Sequence, residues 1–289
     1  MIDSIDKQLR LLELKCRWPV EHLLAGEYRS VFKGKGIEFE DVRPYEPGDD
    51  VRSMDWNVTA RTGTPHIKRF IEDREQYIYL LVDVSASMLH EKSGVKRQAI
   101  VDMCSLITLS AIKNQDNVGL VLFSEEVELT IPPGKGRSHA LRIMDALMNF
   151  APESQGTNLI HAIQYFEHIA RRRSVVFIVS DFFTHNFIEE IQTCAHRHDT
   201  NAICIRSPIH TLSQPALVRI QDSETGEERV VDPKVAFADR SPENQEMASK
   251  RLADFGVNLL NVETDEDSVA ALVRFFRERQ SGGIRGTNP

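Results

Sequence analysis

The stretch Ile78-Tyr79-Leu80-Leu81-Val82-Asp83-Val84-Ser85-Ala86-Ser87 joins a continuous apolar run to a loop of alternating Asp and Ser. A run of this length, followed by a helical pattern, predicts a strand buried on both faces of a parallel sheet. The segments around it follow the same grammar. Lys96 to Lys113 predicts a helix with Ile100, Met103, Ile107 and Ile112 along one side. Asn117 to Phe123 and Val127 to Ile131 predict strands, the second ended by Pro132-Pro133-Gly134. Helices are predicted over Ser138 to Phe150, Leu159 to Ala170 and Phe187 to His196, and strands over Val175 to Val179 and Ala202 to Ile205. Val257 to Val262 predicts a last strand, and Val269, Leu272, Val273 and Phe276 a last amphipathic helix. Strands alternating with helices imply an α/β fold, a doubly wound and mostly parallel sheet covered on both faces.

Three segments depart from this grammar. Residues 3 to 17 repeat Ile5, Leu9, Leu12 and Cys16 at helical spacing until Trp18-Pro19. Residues 26 to 75 are rich in Gly, Pro and charge and predict short strands and turns. Residues 216 to 221 and 228 to 231 flank Ser223-Glu224-Thr225-Gly226 and predict a hairpin inserted on an edge. A helix is expected over residues 243 to 255. The expected organisation is an N-terminal strand-and-turn extension over 1–75 that packs on the core, an α/β domain over 76–280 with a β-hairpin insertion at about 214–234, and a disordered tail over 281–289.

Composition narrows the function. The 289 residues include 35 Lys plus Arg against 43 Asp plus Glu, a net charge of −8. Such a balance lacks the field that drives nucleic-acid or anionic-membrane binding. Cys16, Cys104, Cys194 and Cys204 form no C-x-x-C pair, and Cys104 and Cys204 sit in apolar runs, as buried thiols in a reducing compartment do. No stretch has the length of apolar residues needed to span a bilayer, and the N-terminus has no signal-peptide centre. A cytoplasmic protein is expected.

The chemistry concentrates in three loops. Asp83, Ser85 and Ser87 follow the first buried strand, Asp181 ends the second, and Thr157 stands between them in Gly156-Thr157-Asn158 before a helix. Ligand sites of open α/β sheets lie beyond the carboxyl ends of the strands. Two carboxylates and three hydroxyls, with no imidazole or thiolate, suit a hard cation, magnesium or else manganese or calcium, over zinc. Three neutral hydroxyls would leave the ion much of its charge and an open position, which a partner's carboxylate fills. The competing interpretation of Asp83 to Ser87 and of Thr157 is helix capping.

Asp83-x-Ser85-x-Ser87, Thr157 and Asp181 together resemble the metal-ion-dependent adhesion site (MIDAS) of von Willebrand factor A domains. In that family the two Asp residues often act through water, and the hydroxyls ligate directly or nearly so. Upstream, Phe32-x-Gly34-x-Gly36, Glu38-Phe39, Arg43-x-Tyr45-x-Pro47-Gly48-Asp49-Asp50-x-Arg52, Asp55-Trp56, Thr59-Ala60-Arg61 and Lys68-Arg69 resemble the bacterial domain of unknown function 58 family, and the likeness covers residues 20 to 280. Many members carry N-terminal membrane helices, so this chain is similar to the shorter soluble subgroup. Members are often encoded with MoxR-type AAA+ ATPases. The resemblance therefore implies an adaptor or substrate-binding partner of such an ATPase, gripping an Asp or Glu of a protein partner through Mg2+ in protein assembly or maturation, without catalysis.

Other features point elsewhere. An alternative is a Mg2+-dependent phosphatase or hydrolase using Asp83; haloacid-dehalogenase-like phosphatases, however, place a second Asp where Ser85 stands and want a lysine, which is absent in sequence beside Thr157 or Asp181. The stretch Arg43 to Arg61 suits an ion-paired bracing loop or a recognition surface, and Glu38, Asp49, Asp50 and Asp55 are the acids there and just upstream from which a catalytic acid pair could be drawn. Lys33-Gly34-Lys35-Gly36 is too short for a P-loop and is expected to be a turn. Cys194, His196 and His198 lack a fourth zinc ligand and suggest a helix end with solvated histidines. Arg171-Arg172-Arg173 complements a helix dipole.

Overall fold

The computed structural model describes residues 38–71, 75–89, 94–154, 156–182, 187–206, 218–221, 228–231, 252 and 254–281. The helix expected over 3–17, the Lys33–Gly36 turn, the turn at 223–226, most of the 243–255 helix and the tail from 282 lie outside these residues. The chain divides into two compact units, one spanning Phe32–Gln76 and the other taking in the chain from Tyr77.

In the smaller unit, β1 (Glu38–Pro44) pairs antiparallel with β2 (His66–Ile71), with an irregularity between Phe39 and Asp41. The connection holds a short 3-10 turn at Val51–Ser53 and a helix, α1 (Trp56–Thr62), where the sequence suggested only strands and turns. The helix forms because both ends are capped. The Asp55 carboxylate accepts from the N–H groups of Asn57 and Val58, and Gly63 adopts the left-handed conformation, φ 71°, that closes the helix. Arg43 donates two hydrogen bonds to Asp49, at 2.9 and 2.6 Å, an ion pair within this stretch. That guanidinium holds the Asp49 carboxyl below the usual carboxylate range.

The larger unit is an α/β domain around a six-stranded sheet of order β10-β7-β6-β3-β4-β5. Its strands are β3 (Tyr77–Asp83), β4 (Asn117–Phe123), β5 (Val127–Gly134), β6 (Val175–Ser180), β7 (Asp199–Arg206) and β10 (Asn258–Glu263). All pair in parallel except β5, which returns antiparallel along β4. β5 runs on through Pro132 and Pro133 instead of stopping before them. An edge strand tolerates proline because one row of its backbone groups has no ladder partner. The strands β8 (Val218–Gln221) and β9 (Glu228–Val231) pair antiparallel as expected, but in a two-stranded sheet of their own rather than on an edge of the six-stranded sheet.

Helices cover the sheet. Between β3 and β4 come α2 (Ala86–Leu89) and α3 (Val95–Lys113); α4 (Arg137–Asn149) and α5 (Leu159–Ile169) precede β6. α6 (Ile188–Arg197) leads to β7, and α7 (Ser268–Ser281) follows β10. One face is packed by α5 and α6: Leu159, Ile163, Phe166 and Ile191 join Tyr79, Leu81, Val121 and Ile178 in a single buried cluster. α3, with α4 and α7 against it, covers the other. The one-sided apolar stripe expected on α3 is too narrow. Val101, Cys104, Leu106, Ser105, Thr108 and Ser110 are buried as well, and Thr108 and Ser110 return their hydroxyls to the carbonyls of Cys104 and Leu106. A helix buried round most of its circumference has no amphipathic signature. Among the described residues no helix is long and apolar enough to cross a membrane.

Candidate metal centre at the carboxyl ends of β3 and β6

The strand order brings the chemistry together. β3 and β6 are neighbours, with Val82 beside Val179, but they leave the sheet in opposite directions: β3 continues to β4 on one side and β6 to β7 on the other. Diverging connections open a crevice at the carboxyl ends of adjacent strands. Asp83 and Asp181 stand there.

Asp83 is fully buried. Its Oδ1 accepts from the Ser85 N–H at 2.9 Å and its Oδ2 from the Ser180 hydroxyl at 2.7 Å. Burial, with the nearby Asp181 charge adding to it, pushes the Asp83 carboxyl up to about 6 despite these hydrogen bonds. The carboxylate is thus short of positive charge. The turn held by Asp83 directs Ser85 and Ser87 to one place, where their hydroxyl oxygens lie 3.1 Å apart. Adjacent ligands on a magnesium octahedron are separated by about 3 Å, given bonds of about 2.1 Å. The two hydroxyls therefore fit one edge of such a shell.

Asp181 is held differently. It follows Ser180, whose hydroxyl both donates to Asp83 and accepts from the Phe182 N–H at 3.1 Å. Phe182 takes a left-handed conformation, φ 56°. A bulky residue there is strained, on the order of 1 kcal/mol or more, and that strain falls on the residue directly after Asp181. Lys96, on the first turn of α3, reaches Asp181 Oδ2 at 3.4 Å and the Ser87 carbonyl at 3.1 Å. The sequence showed no lysine near Asp181, because Lys96 comes from a helix 85 residues away. Ser180 and Lys96 are the residues sequence reasoning missed. The signal for Lys96 was a cation in the first helical turn, where the helix dipole disfavours it.

Thr157 belongs to a loop fastened beside β4. The Asn158 N–H donates to the Ser124 carbonyl at 2.8 Å, directly after Phe123, which pairs with Asp83. Glu128 braces the approach: it accepts from the Ser124 hydroxyl and from the N–H groups of Glu153 and Ser154. Burial raises the Glu128 carboxyl, but these hydrogen bonds outweigh it and hold it below the usual range. Asn158, not Thr157, caps α5, its side chain accepting from the His161 N–H at 3.0 Å. The capping role weighed for Thr157 is therefore filled by its neighbour.

The donor set fits a hard cation. Asp83, Ser85, Ser87 and Asp181 offer only oxygen, as does Thr157 on its neighbouring loop. Among the described residues no three His, Cys, Asp or Glu side chains group to hold a metal. A cation here would depend on the hydroxyls, which favours Mg2+-like over Zn2+-like chemistry.

The other clusters resolve structurally. Asp49 is ion-paired with Arg43, Asp50 caps the 3-10 turn and Asp55 caps α1. The histidines expected to be solvated divide: His196 is exposed and His198 buried. His198 packs on Phe166, its Nδ1 accepts from the Ser174 N–H, and its Nε2 lies 3.4 Å from Glu167. Arg172 lies over the Tyr77 ring at 4.6 Å.

The model of the family described as Protein of unknown function DUF58 matches residues 41–250. The chain belongs to the DUF58 family. Uncharacterized protein Rv1480 of Mycobacterium tuberculosis is 32% identical to this DUF58 chain over 287 residues, 96% of the chain and 90% of the relative. Uncharacterized protein YeaD of Bacillus subtilis is 30% identical over 98 residues, 34% of the chain and 23% of the relative. Among solved structures, the conserved hypothetical protein BatB from Bacteroides thetaiotaomicron aligns over 71% of this chain and 99% of its own, at 15% identity and a TM-score of 0.47. Proximal thread matrix protein 1 from the mussel byssus, with a zinc-occupied MIDAS motif, aligns over 46% of this chain and 38% of its own, at 18% identity and a TM-score of 0.38.

Proposed function

We propose that this DUF58 chain is a metal-dependent protein-binding module. Asp83, Ser85, Ser87, Thr157 and Asp181 hold one Mg2+, with Mn2+ or Ca2+ as substitutes, and the ion takes its last ligand from an Asp or Glu of a protein partner. One observation carries this: two buried carboxylates and two hydroxyls only 3.1 Å apart meet at the diverging ends of β3 and β6. Bound there, the ion supplies a positive charge left under-neutralised by neutral ligands. The chain's residues orient it. Ser180 and the Ser85 N–H fix the Asp83 carboxylate, and Lys96 contacts that of Asp181.

Binding is favoured over hydrolysis because Asp83 is poorly placed to attack. It has no exposed surface and both oxygens already accept hydrogen bonds. The partner class we propose, from the resemblance of the upstream motifs, is a MoxR-type AAA+ ATPase together with its client, in the cytoplasm. The test is co-precipitation with the MoxR-type ATPase of the same organism. Capture is expected in Mg2+ and at least tenfold less with EDTA or with Asp83→Ala, whose far-UV circular dichroism stays that of the parent. Capture indifferent to both treatments excludes a metal-bridged contact. Turnover on a phosphatase and esterase panel, lost in Asp83→Asn, would establish the hydrolase instead.

A further inference from the structure

Lys96 sits where a lysine is costly. Only 9% of it is exposed, so its ammonium is largely stripped of water. It also occupies the second position of α3, at the positive end of the helix dipole. Its contacts offset both costs: Asp181 Oδ2 at 3.4 Å and the Ser87 carbonyl at 3.1 Å. One contact is to an acidic residue of the metal centre, and the other is to the backbone of a hydroxyl residue of the same centre.

We propose that Lys96 is a tethered counter-ion that competes with the divalent cation for Asp181. The inference rests on the metal-centre assignment above. In the cation-free protein the ammonium supplies the positive charge that Asp181 needs. A divalent ion entering the centre must draw the carboxylate away from it and then lie beside a fixed like charge. Both effects weaken cation binding in the protein alone. A partner carboxylate reverses the balance, because it adds a negative charge to a centre carrying Lys96 and the ion together. Cation and partner therefore bind cooperatively, and the centre holds the ion only weakly until the partner is present.

The probe is Mn2+ alone, titrated and followed by the electron paramagnetic resonance signal of the free ion. The proteins are the parent chain, Lys96→Gln, Lys96→Arg and Lys96→Gln combined with Asp83→Ala. Removing one positive charge from beside the ion is expected to tighten Mn2+ binding by about tenfold or more, and Lys96→Arg to stay as weak as the parent. The double variant should lose the gained affinity. Equal or weaker binding by Lys96→Gln, with binding still lost on adding Asp83→Ala, overturns the competition and leaves the metal centre standing. Equal tightening by Lys96→Arg overturns it too, since charge is then not the cause. Binding that survives Asp83→Ala removes the metal centre and this inference together. If Lys96→Gln fails to fold in EDTA, millimolar Mn2+ must restore it, because the cation then replaces the missing charge; a variant that stays unfolded in both overturns the proposal.

Discussion

Beside the amino end of β6, His198 is held toward its neutral form. Burial, then the positive charges of Arg197 and Arg173, push its imidazole down to about 4, whereas an unfolded histidine titrates near 6.5. Above about pH 6.5 both states are neutral and the full stability is present. As pH falls toward 4 the unfolded chain takes up the proton first, and stability drains away. The loss should reach about 2 kcal/mol at pH 4.5, seen as a fall in the urea midpoint between pH 7 and 4.5 that is smaller in His198→Phe. An equal fall in both proteins would remove His198 as its source. Its neighbours are consistent with a structural role: Cys194 is buried, with its thiol pushed up to about 12 by desolvation.

Secondary-structure elements depend on caps that are short and local. α1 has seven residues and none of them is buried. Too short to nucleate alone, it relies on Asp55 at one end and Gly63 at the other. Asp55→Ala should cost about 1 kcal/mol and be felt within the Phe32–Gln76 unit. Amide exchange of Val58 and Thr59 is the measurement; unchanged protection of both would show that the cap is dispensable. Trp56, at the start of this helix, is 67% exposed. Among the larger elements, β4 admits a close approach: a Cβ on Gly119 would lie 3.1 Å from the Tyr79 ring and 3.2 Å from Pro133. Glycine is needed there for space rather than for its backbone freedom.

For the whole molecule the proposed metal centre has a thermodynamic consequence. An ion bound only by the native state stabilises it by about 1.4 kcal/mol at ten times its dissociation constant. In a domain of this size that raises the midpoint of thermal unfolding by roughly 3–5 °C. Mg2+ should produce this shift in the parent chain, EDTA should remove it, and Asp83→Ala should show none. A shift retained by Asp83→Ala would place the ion elsewhere.

Much of this architecture was legible without coordinates. Ile78 to Val82 and Val175 to Val179 had to become interior strands, because apolar runs that long can be satisfied only by a sheet covered on both sides. Asp83 and Asp181 then had to fall at their carboxyl ends. The sequence also supplied the oxygen-only chemistry of the donor set, since residue type alone decides that. It could not decide which strands lie side by side. Sheet order comes from three-dimensional packing of the connecting helices, and it alone sets Asp83 beside Asp181 and delivers Lys96, 85 positions away, to the same carboxylate. Nor could it show α3 buried nearly all round, Pro132 and Pro133 carried within an edge strand, or His198 sealed against Phe166. Each of these depends on what the rest of the fold places opposite, and local patterns carry no record of neighbours distant in the chain.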